Sequence, residues 1–571
     1  MPFYLYKILK TTKLWESGII ILFLVNFEFG KLRKFNIMRK ASIFLILTLL
    51  FNNILVLAEK ENLKDGKFHA DWESLSRHDT PEWFRDAKFG IWAHWGPQCQ
   101  PEYGDWYAKL MYLPDNEVYR YHVENYGHPS EFGFKDVINE WTAPNWDPKK
   151  LVELYKKTGA KYFFAMGNHH DNFDLWNSKF HNWNSTKIGP KRDILAEWKE
   201  AADENDLPFG VSIHSSHTWT WFEPAQGSDP NGPYAGVKYD AATLSFEDGK
   251  GKWWEGYDPQ ELYQQNHSLS DSSQDVWDWP EGTSMPTQEY LDDFYNRTTD
   301  MISKYQPDLI YFDDTVVPFW PIDNTGLEVI SYFYNDNLEK SGKDDAEVVV
   351  FGKQLKEPHK QAIVWDVEKG VPSDMQELAW QTCTCLGNWH YDKRIYDNNW
   401  YKSAKTVANM LVDIVSKNGN LLLSVPIKGD GTIDEKEEAI LNDLGDWFEV
   451  NGEGIFATRP WLIYGEGPST LEQIPLNAQG FNEGNHAPYT SEDIRFVTKN
   501  GNLYAHVLEW PEDNKVLIKS LSSQSPYFTD KIHSVSLLGG GDLEFVRNEE
   551  GLEVTLPNEK PNPISFALEI K

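Results

Sequence analysis

Leu309-Ile310-Tyr311-Phe312-Asp313-Asp314 is an apolar run that stops abruptly at two carboxylates. Two earlier runs stop in a similar way. Lys161–Gly167 leads into Asn168-His169-His170-Asp171, and Phe89-Gly90-Ile91-Trp92-Ala93 leads into His94-Trp95-Gly96. Barrel enzymes present their catalytic groups at the C-terminal ends of buried parallel strands, which is the pattern these runs make. Working outward, eight strand candidates emerge: Lys88–His94, Lys161–Gly167, Pro208–His214, Leu309–Asp313, Glu347–Gly352, Ala362–Asp366, Ala379–Cys385 and Asn420–Val425. Amphipathic helical patterns fall between several of them, at Pro148–Thr158, Ile194–Asn205, Gln288–Tyr305 and Lys402–Asn418. The expectation is an α/β fold, a (β/α)8 TIM-like barrel.

After Arg459-Pro460-Trp461 the texture changes to short alternating runs. These are Asp493–Thr498, Leu503–Leu508, Lys515–Ser520, His533–Leu538, Leu552–Leu556 and Ile564–Ile570, separated by turns such as Asn500-Gly501 and Gly539-Gly540-Gly541. This predicts a small C-terminal antiparallel β-sandwich. The expected division is an N-terminal extension and signal peptide at 1–58, the catalytic barrel at 59–455 and the sandwich at 456–571.

A basic pair, Arg39-Lys40, precedes the apolar stretch Ser42–Leu57, which closes on Val56-Leu57-Ala58. That is the three-part order of a secretory signal, with Met38 as the expected true start. The stretch carries Asn52 and Asn53 and is short for a membrane span. No apolar span of that length follows, so the mature chain is expected to be periplasmic or secreted, without membrane insertion. The net charge of −33 excludes nucleic acid and anionic lipid as main partners, because both need clustered cations. Aromatics make up 15% of the chain, with 25 Trp, a bias suited both to sugar-stacking walls and to a large core. Cys99, Cys383 and Cys385 cannot build a disulfide framework and read as small core residues.

Neutral histidines at strand ends can donate to and accept from sugar hydroxyls. The pair His169-His170 has no obvious carboxylate ligands at neighbouring strand ends, so no metal and no cofactor is expected. The stretch 214–287 is long, aperiodic and rich in Gly, Asp, Trp and Pro, and it follows the third strand candidate. It would therefore lie at the catalytic face, and its Lys252-Trp253-Trp254-Glu255-Gly256 offers two rings and a carboxylate.

Several motifs in order resemble the α-L-fucosidases of glycoside hydrolase family 29. They are Trp83-Phe84-Arg85-Asp86-Ala87-Lys88-Phe89-Gly90-Ile91-Trp92-Ala93-His94-Trp95-Gly96, then Asp105-Trp106-Tyr107, then Gly159-Ala160-Lys161-Tyr162 through His169-His170-Asp171-Asn172-Phe173. Pro307-Asp308-Leu309-Ile310-Tyr311-Phe312-Asp313 resembles the nucleophile strand, and Ser416–Leu423 followed by Gly429-Asp430-Gly431-Thr432 resembles the last barrel strand and its loop. The resemblance implies a retaining exo-glycosidase that removes terminal α-L-fucosyl residues from an oligo- or polysaccharide. Asp313 then matches the nucleophile. His94, His169 and His170 match residues holding the sugar hydroxyls, and Trp106 matches a sugar-contacting ring. At Trp380-Gln381-Thr382-Cys383 the chain carries Gln where the resemblance leads one to expect the acid/base Glu. An amide cannot supply the proton. Glu255 is the first substitute acid/base, followed by Asp105 and Glu377. Asp105, Trp254 and Gln381 join the expected substrate-binding set. Two alternatives stand beside this reading: an α-L-galactosidase acting on algal-type polysaccharide, and a catalytically silent carbohydrate-binding protein.

Overall fold

In the computed structural model the described residues are 66–265, 267–271, 279, 282–471, 474–477 and 480–571. The signal-like segment and the expected start at Met38 lie outside them. Eight parallel strands close on themselves. They are β1 (Phe89–Ala93), β2 (Tyr162–Asn168), β3 (Phe209–Ile213), β4 (Leu309–Phe312), β5 (Val349–Gly352), β6 (Val364–Glu368), β7 (Trp380–Cys385) and β8 (Gly419–Ser424). Closure runs through β1 against β8, with Gly90 opposite Leu422. Every one of the eight strand expectations falls on one of these strands.

Alternation along the strands sorts the side chains. Leu309 and Tyr311 of β4, Tyr162 and Phe164 of β2, and Val349 and Phe351 of β5 pack together inside the barrel. Ile310, Phe312, Phe163 and Val350 belong to the larger core shared with the helices. Side chains two apart lie on one face, so Asp313, Lys353 and Glu368 each continue an inward row at the C-terminal mouth. The helices outside include α1 (Pro148–Lys157), α2 (Ile194–Glu204), α3 (Gln288–Tyr305) and α4 (Ala404–Ser416). Asp147, Asp193, Thr287 and Ser403 cap their N-termini with side-chain oxygens. Among the described residues no helix is long and apolar enough to cross a membrane.

The C-terminal part is two antiparallel sheets over one apolar core. One has the strand order Gly541–Asp542, Val535–Leu537, Phe566–Ile570, Asn502–Val507, Ile494–Lys499, Arg459–Glu466, and the other Lys515–Ile518, Leu552–Thr555, Phe545–Arg547. Strand β9 (Arg459–Glu466) forms the outer edge beside β10 (Ile494–Lys499) and was not expected. Its Pro460 fits an edge, where a missing N–H is tolerated. Between β9 and β10 the chain leaves the sandwich and reaches the barrel. Gly480 forms a parallel bridge with Glu368. The amide of Phe481 donates to the Glu368 carbonyl at 2.8 Å, and that of Glu483 to the Lys369 carbonyl at 2.9 Å.

Candidate active site

At the C-terminal ends of the strands lies a pocket of about 320 Å³, the size range of a small-ligand site. Trp92 and Tyr311 line its barrel side, and Trp106, Asn388, Trp389 and Phe481 are among its walls. A larger cavity of about 520 Å³ lies between barrel and sandwich. There Asp413 already pairs with Lys417 at 2.9 Å and with Arg495 at 2.5 Å, so its central charges are spent on each other.

Asp313 is the hub of the smaller pocket. Lys353 Nζ lies 2.5 Å from its Oδ1, while His170 Nε2 and His214 Nδ1 lie 3.0 and 3.1 Å from its Oδ2. Burial alone would raise this carboxyl. The Lys353 ammonium, with His214 and His170, overrides burial and holds it well below the usual carboxylate range. The neighbouring Asp314 accepts from Ser216 Oγ at 2.8 Å and contacts His217 Nε2 at 3.1 Å. Its oxygens are engaged in holding the loop after β3.

Lys353 also reaches Glu368 Oε2, again at 2.5 Å. Each 2.5 Å from the same nitrogen, the two carboxylate oxygens are separated by at most twice that distance. Burial disfavours the Lys353 charge, but Asp313 and Glu368 outweigh it and raise the ammonium well above its ordinary value. Glu368 was missed by sequence reasoning because the strand candidate stopped at Asp366. The signal available was the alternation Val364, Asp366, Glu368, which carries a second carboxylate one inward step further up.

The histidines offer complementary hydrogen bonding. Gln98 Nε2 donates to His169 Nδ1 at 2.7 Å, which leaves the proton on His169 Nε2. His390 Nδ1 contacts Asp105 Oδ1 at 2.7 Å. His94, with both ring nitrogens, and His214 and His390, each with Nε2, have buried polar atoms unmatched among the described residues. Burial, then His390 and His214, keep His94 well below its ordinary value, so it is neutral and offers one donor and one acceptor. Burial acts the same way on His169 and pushes His170 down to about 4, with Asp313 opposing it. The strand irregularity between Met166 and Asn168 accounts for two consecutive histidines reaching one site. His94, Asp105, His169 and His390 bring ligand atoms within 4.8 Å of one another, as do His169, His170 and His214. Either set could accept a divalent ion on donor chemistry alone.

Of the expected site residues, Asp313, His94, Asp105, Trp106 and His169 line the pocket, and His170 touches it through Asp313. Trp254, Glu255, Gln381 and Glu377, expected at the site, do not line this pocket. Glu255 is exposed, and its Oε2 accepts from the Gly251 amide at 3.0 Å within its own turn. Trp254 is buried against Gly249 in the same loop, and neither residue lines the pocket. The loop closes on itself, and Trp253 Nε1 ties it to Asp136 at 2.7 Å. Glu377 is exposed and precedes β7, at the opposite end of the barrel from the pocket.

Gln381 is fully buried and lies in the layer beneath the pocket. It sits beside Asp366 in the β6–β7 pairing, one inward step below Glu368. Its Nε2 donates to Asp366 Oδ2 at 2.9 Å, and its Oε1 accepts from Tyr162 Oη at 2.9 Å. Cys383 Sγ donates to the same Asp366 at 3.0 Å. Burial pushes Asp366 up to about 6 despite these donors. The Gln is therefore the neutral, fully buried partner of a buried acid and does not line the pocket.

A family model described as Alpha-L-fucosidase matches residues 55–453, and one described as Alpha-L-fucosidase C-terminal domain matches residues 487–571. The Tissue alpha-L-fucosidase of Mus musculus is 27% identical over 525 residues, covering 89% of this chain and 95% of the mouse protein. That of Homo sapiens is 26% identical over 521 residues, covering 88% of this chain and 91% of the human one. The crystal structure of Thermotoga maritima alpha-fucosidase superposes with a TM-score of 0.63 at 27% identity, covering 88% of this chain and 100% of that one. The same Thermotoga protein solved in complex with fucose superposes at 0.62, with 26% identity and coverage of 88% and 100%. The first family match runs from before β1 to beyond β8 and the second takes in most of the sandwich: the chain belongs to the alpha-L-fucosidase family of glycoside hydrolases.

Proposed function

We propose that this glycoside hydrolase removes terminal α-L-fucosyl residues from glycans with retention of configuration, using Asp313 as nucleophile and Glu368 as acid/base. One observation carries the assignment of the pair: both carboxylates lie 2.5 Å from Lys353 Nζ. Retaining glycosidases need two carboxyl groups about 5–5.5 Å apart, whereas inverting ones leave about 6.5–9.5 Å for a water. Two oxygens sharing one ammonium favour the shorter spacing.

In the first step an Asp313 oxygen attacks the anomeric carbon, and Glu368, reacting in its protonated form while Lys353 stays paired with Asp313, gives that proton to the departing glycosidic oxygen. In the second step Glu368 takes a proton from water as that water attacks the same carbon, and Asp313 leaves as carboxylate. Once Asp313 is esterified it no longer offers Lys353 a negative charge. The ammonium then pairs with the Glu368 carboxylate, the form needed to accept the proton of water. The unmatched nitrogens of His94 and His214 and the Nε2–H of His169 are suited to ring hydroxyls. Trp92 and Tyr311, packed in the barrel interior, form the floor against which the sugar would sit.

The domain division at 455/456 and export to the periplasm or the exterior are part of the same proposal, the latter supported by the order of residues 39–58. Hydrolysis of aryl α-L-fucoside, measured beside aryl α-L-galactoside, tests the function. We expect the fucoside to be the better substrate and activity to survive exhaustive chelation. Preference for the galactoside would overturn the sugar assignment, and inactivity on both would leave a binding protein.

A further inference from the structure

Phe481 is out of place by the ordinary logic of folding. It is a large apolar side chain at 41% exposure, yet it belongs to the lining of the pocket. Its backbone is left-handed, with φ of 41°, a region that bulky residues rarely occupy without a compensating constraint. The constraint is visible. Gly480 bridges to Glu368, the Phe481 amide donates to the Glu368 carbonyl at 2.8 Å, and the Glu483 amide donates to the Lys369 carbonyl at 2.9 Å. Asn482 clamps the next turn, donating from Nδ2 to the Val371 carbonyl at 3.0 Å and accepting from the Val371 amide at 2.9 Å. The segment comes from between β9 and β10 of the sandwich, more than a hundred residues downstream of β6, and it is fastened to the strand that ends in Glu368.

The chemistry says what this ring faces. An acid/base group must touch the glycosidic oxygen, so the leaving group departs over Glu368. Phe481, bonded through its backbone to Glu368, is an aromatic lining residue tied to that side of the pocket. A pyranose presents a face of C–H groups, and an aromatic ring at the rim is a rigid surface of low conformational cost for such a face. Lys369, whose Nζ lies 5.0 Å from the Trp389 ring, and Asn388 put N–H donors at the same rim for hydroxyls.

We propose that Phe481, contributed by the C-terminal region, is a specificity-determining residue: the platform on which the sugar on the reducing side of the scissile bond packs. This rests on the fucosyl-hydrolase reading and on Glu368 as its acid. The test compares two substrates that both need protonation to depart but differ in what leaves. Methyl α-L-fucoside loses methanol, which has no face to stack. An α-L-fucosyl disaccharide loses a pyranose.

In Phe481→Ala, kcat/KM on the disaccharide should fall about tenfold, with methyl α-L-fucoside changed less than about twofold. Phe481→Trp should restore the disaccharide rate. Equal losses on both substrates would overturn the platform and show that the ring serves only to hold Glu368 in place. No loss on either would overturn it too. Wild-type inactivity on both would overturn the fucosyl reading itself, and the platform with it.

Discussion

The carboxylates of Asp313 and Glu368 meet at one ammonium, with Lys353 Nζ 2.5 Å from each. Three consecutive βα units supply the set: Asp313 follows β4, Lys353 follows β5 and Glu368 ends β6. Each takes the next inward place on its strand, so the barrel's own geometry sets their spacing.

Lys353 gives a prediction with a definite sign. Burial raises the Asp313 carboxyl, and the ammonium beside it is the strongest influence in the other direction. In Lys353→Met that carboxyl should rise, and with it the acid limb of the kcat/KM profile, by roughly 1–3 pH units. The check is a pH–rate profile on an activated aryl fucoside, where leaving-group protonation matters little. An acid limb that stays in place would mean the limb does not report Asp313.

Glu368 and Glu255 separate cleanly. Glu368→Gln should cost about 10²–10⁴ in rate on poor leaving groups and much less on nitrophenyl fucoside, since only the former need a proton to depart. Glu255→Gln should change neither, because that side chain is exposed and bonded within its own turn. A leaving-group-dependent loss in the Glu255 variant would return the acid role to the loop.

Gln381→Glu tests the layer below. Its amide donates to Asp366, a buried acid pushed up to about 6. A glutamate there must stay protonated to keep that bond, and ionising it would bury a second unpaired charge. The expected result is a lower Tm, a loss of about 1–3 kcal/mol, and no gain in activity on natural glycans. A large gain would show that this position reaches the substrate.

The strands and the placement of Asp313 in the pocket were legible because burial and chemistry coincide there. Parallel strands covered on both faces appear as unbroken apolar runs. By chemistry alone Asp314 rivals Asp313, the resemblance favours Asp313, and the inward row of Leu309 and Tyr311 in the structure continues to Asp313. Glu368 escaped because Asp366 looks like the end of the run. Only the pairing with Gln381 reveals that Asp366 is an interior layer and that the strand continues. The Trp253-Trp254-Glu255 motif misled for the opposite reason: its composition suits a sugar wall, but the loop packs on its own residues and on Asp136. Phe481 was out of reach altogether, since no local pattern announces a segment leaving the sandwich to pair with β6.

Acid stability should follow buried histidines away from the site. His506 contacts the Gly454 carbonyl at 2.8 Å, and burial pushes it down to about 4 from an ordinary 6.5. His78 and His122 are likewise pushed down to about 4. The unfolded chain binds protons below its own pKa that the folded chain refuses until about pH 4. Stability should therefore decline from about pH 6.5 to about pH 4, by roughly 1.4 kcal/mol per pH unit for each such histidine. Tm measured across that window should fall, and His506→Gln, which keeps a donor for Gly454, should fall less steeply. An identical slope in that variant would remove His506 from the account.

The central claim is that Asp313 forms a covalent bond with the sugar while Glu368 serves as acid/base. The most direct measurement is to trap the intermediate with a 2-deoxy-2-fluoro-α-L-fucosyl donor carrying a good leaving group, digest the protein and find the modified peptide by mass spectrometry. The fluorine destabilises the positively charged transition states, so the ester accumulates if it forms at all. The account predicts one added glycosyl unit, on Asp313. A label on Asp314 or Glu368, or no covalent species while the donor is still consumed, would contradict it.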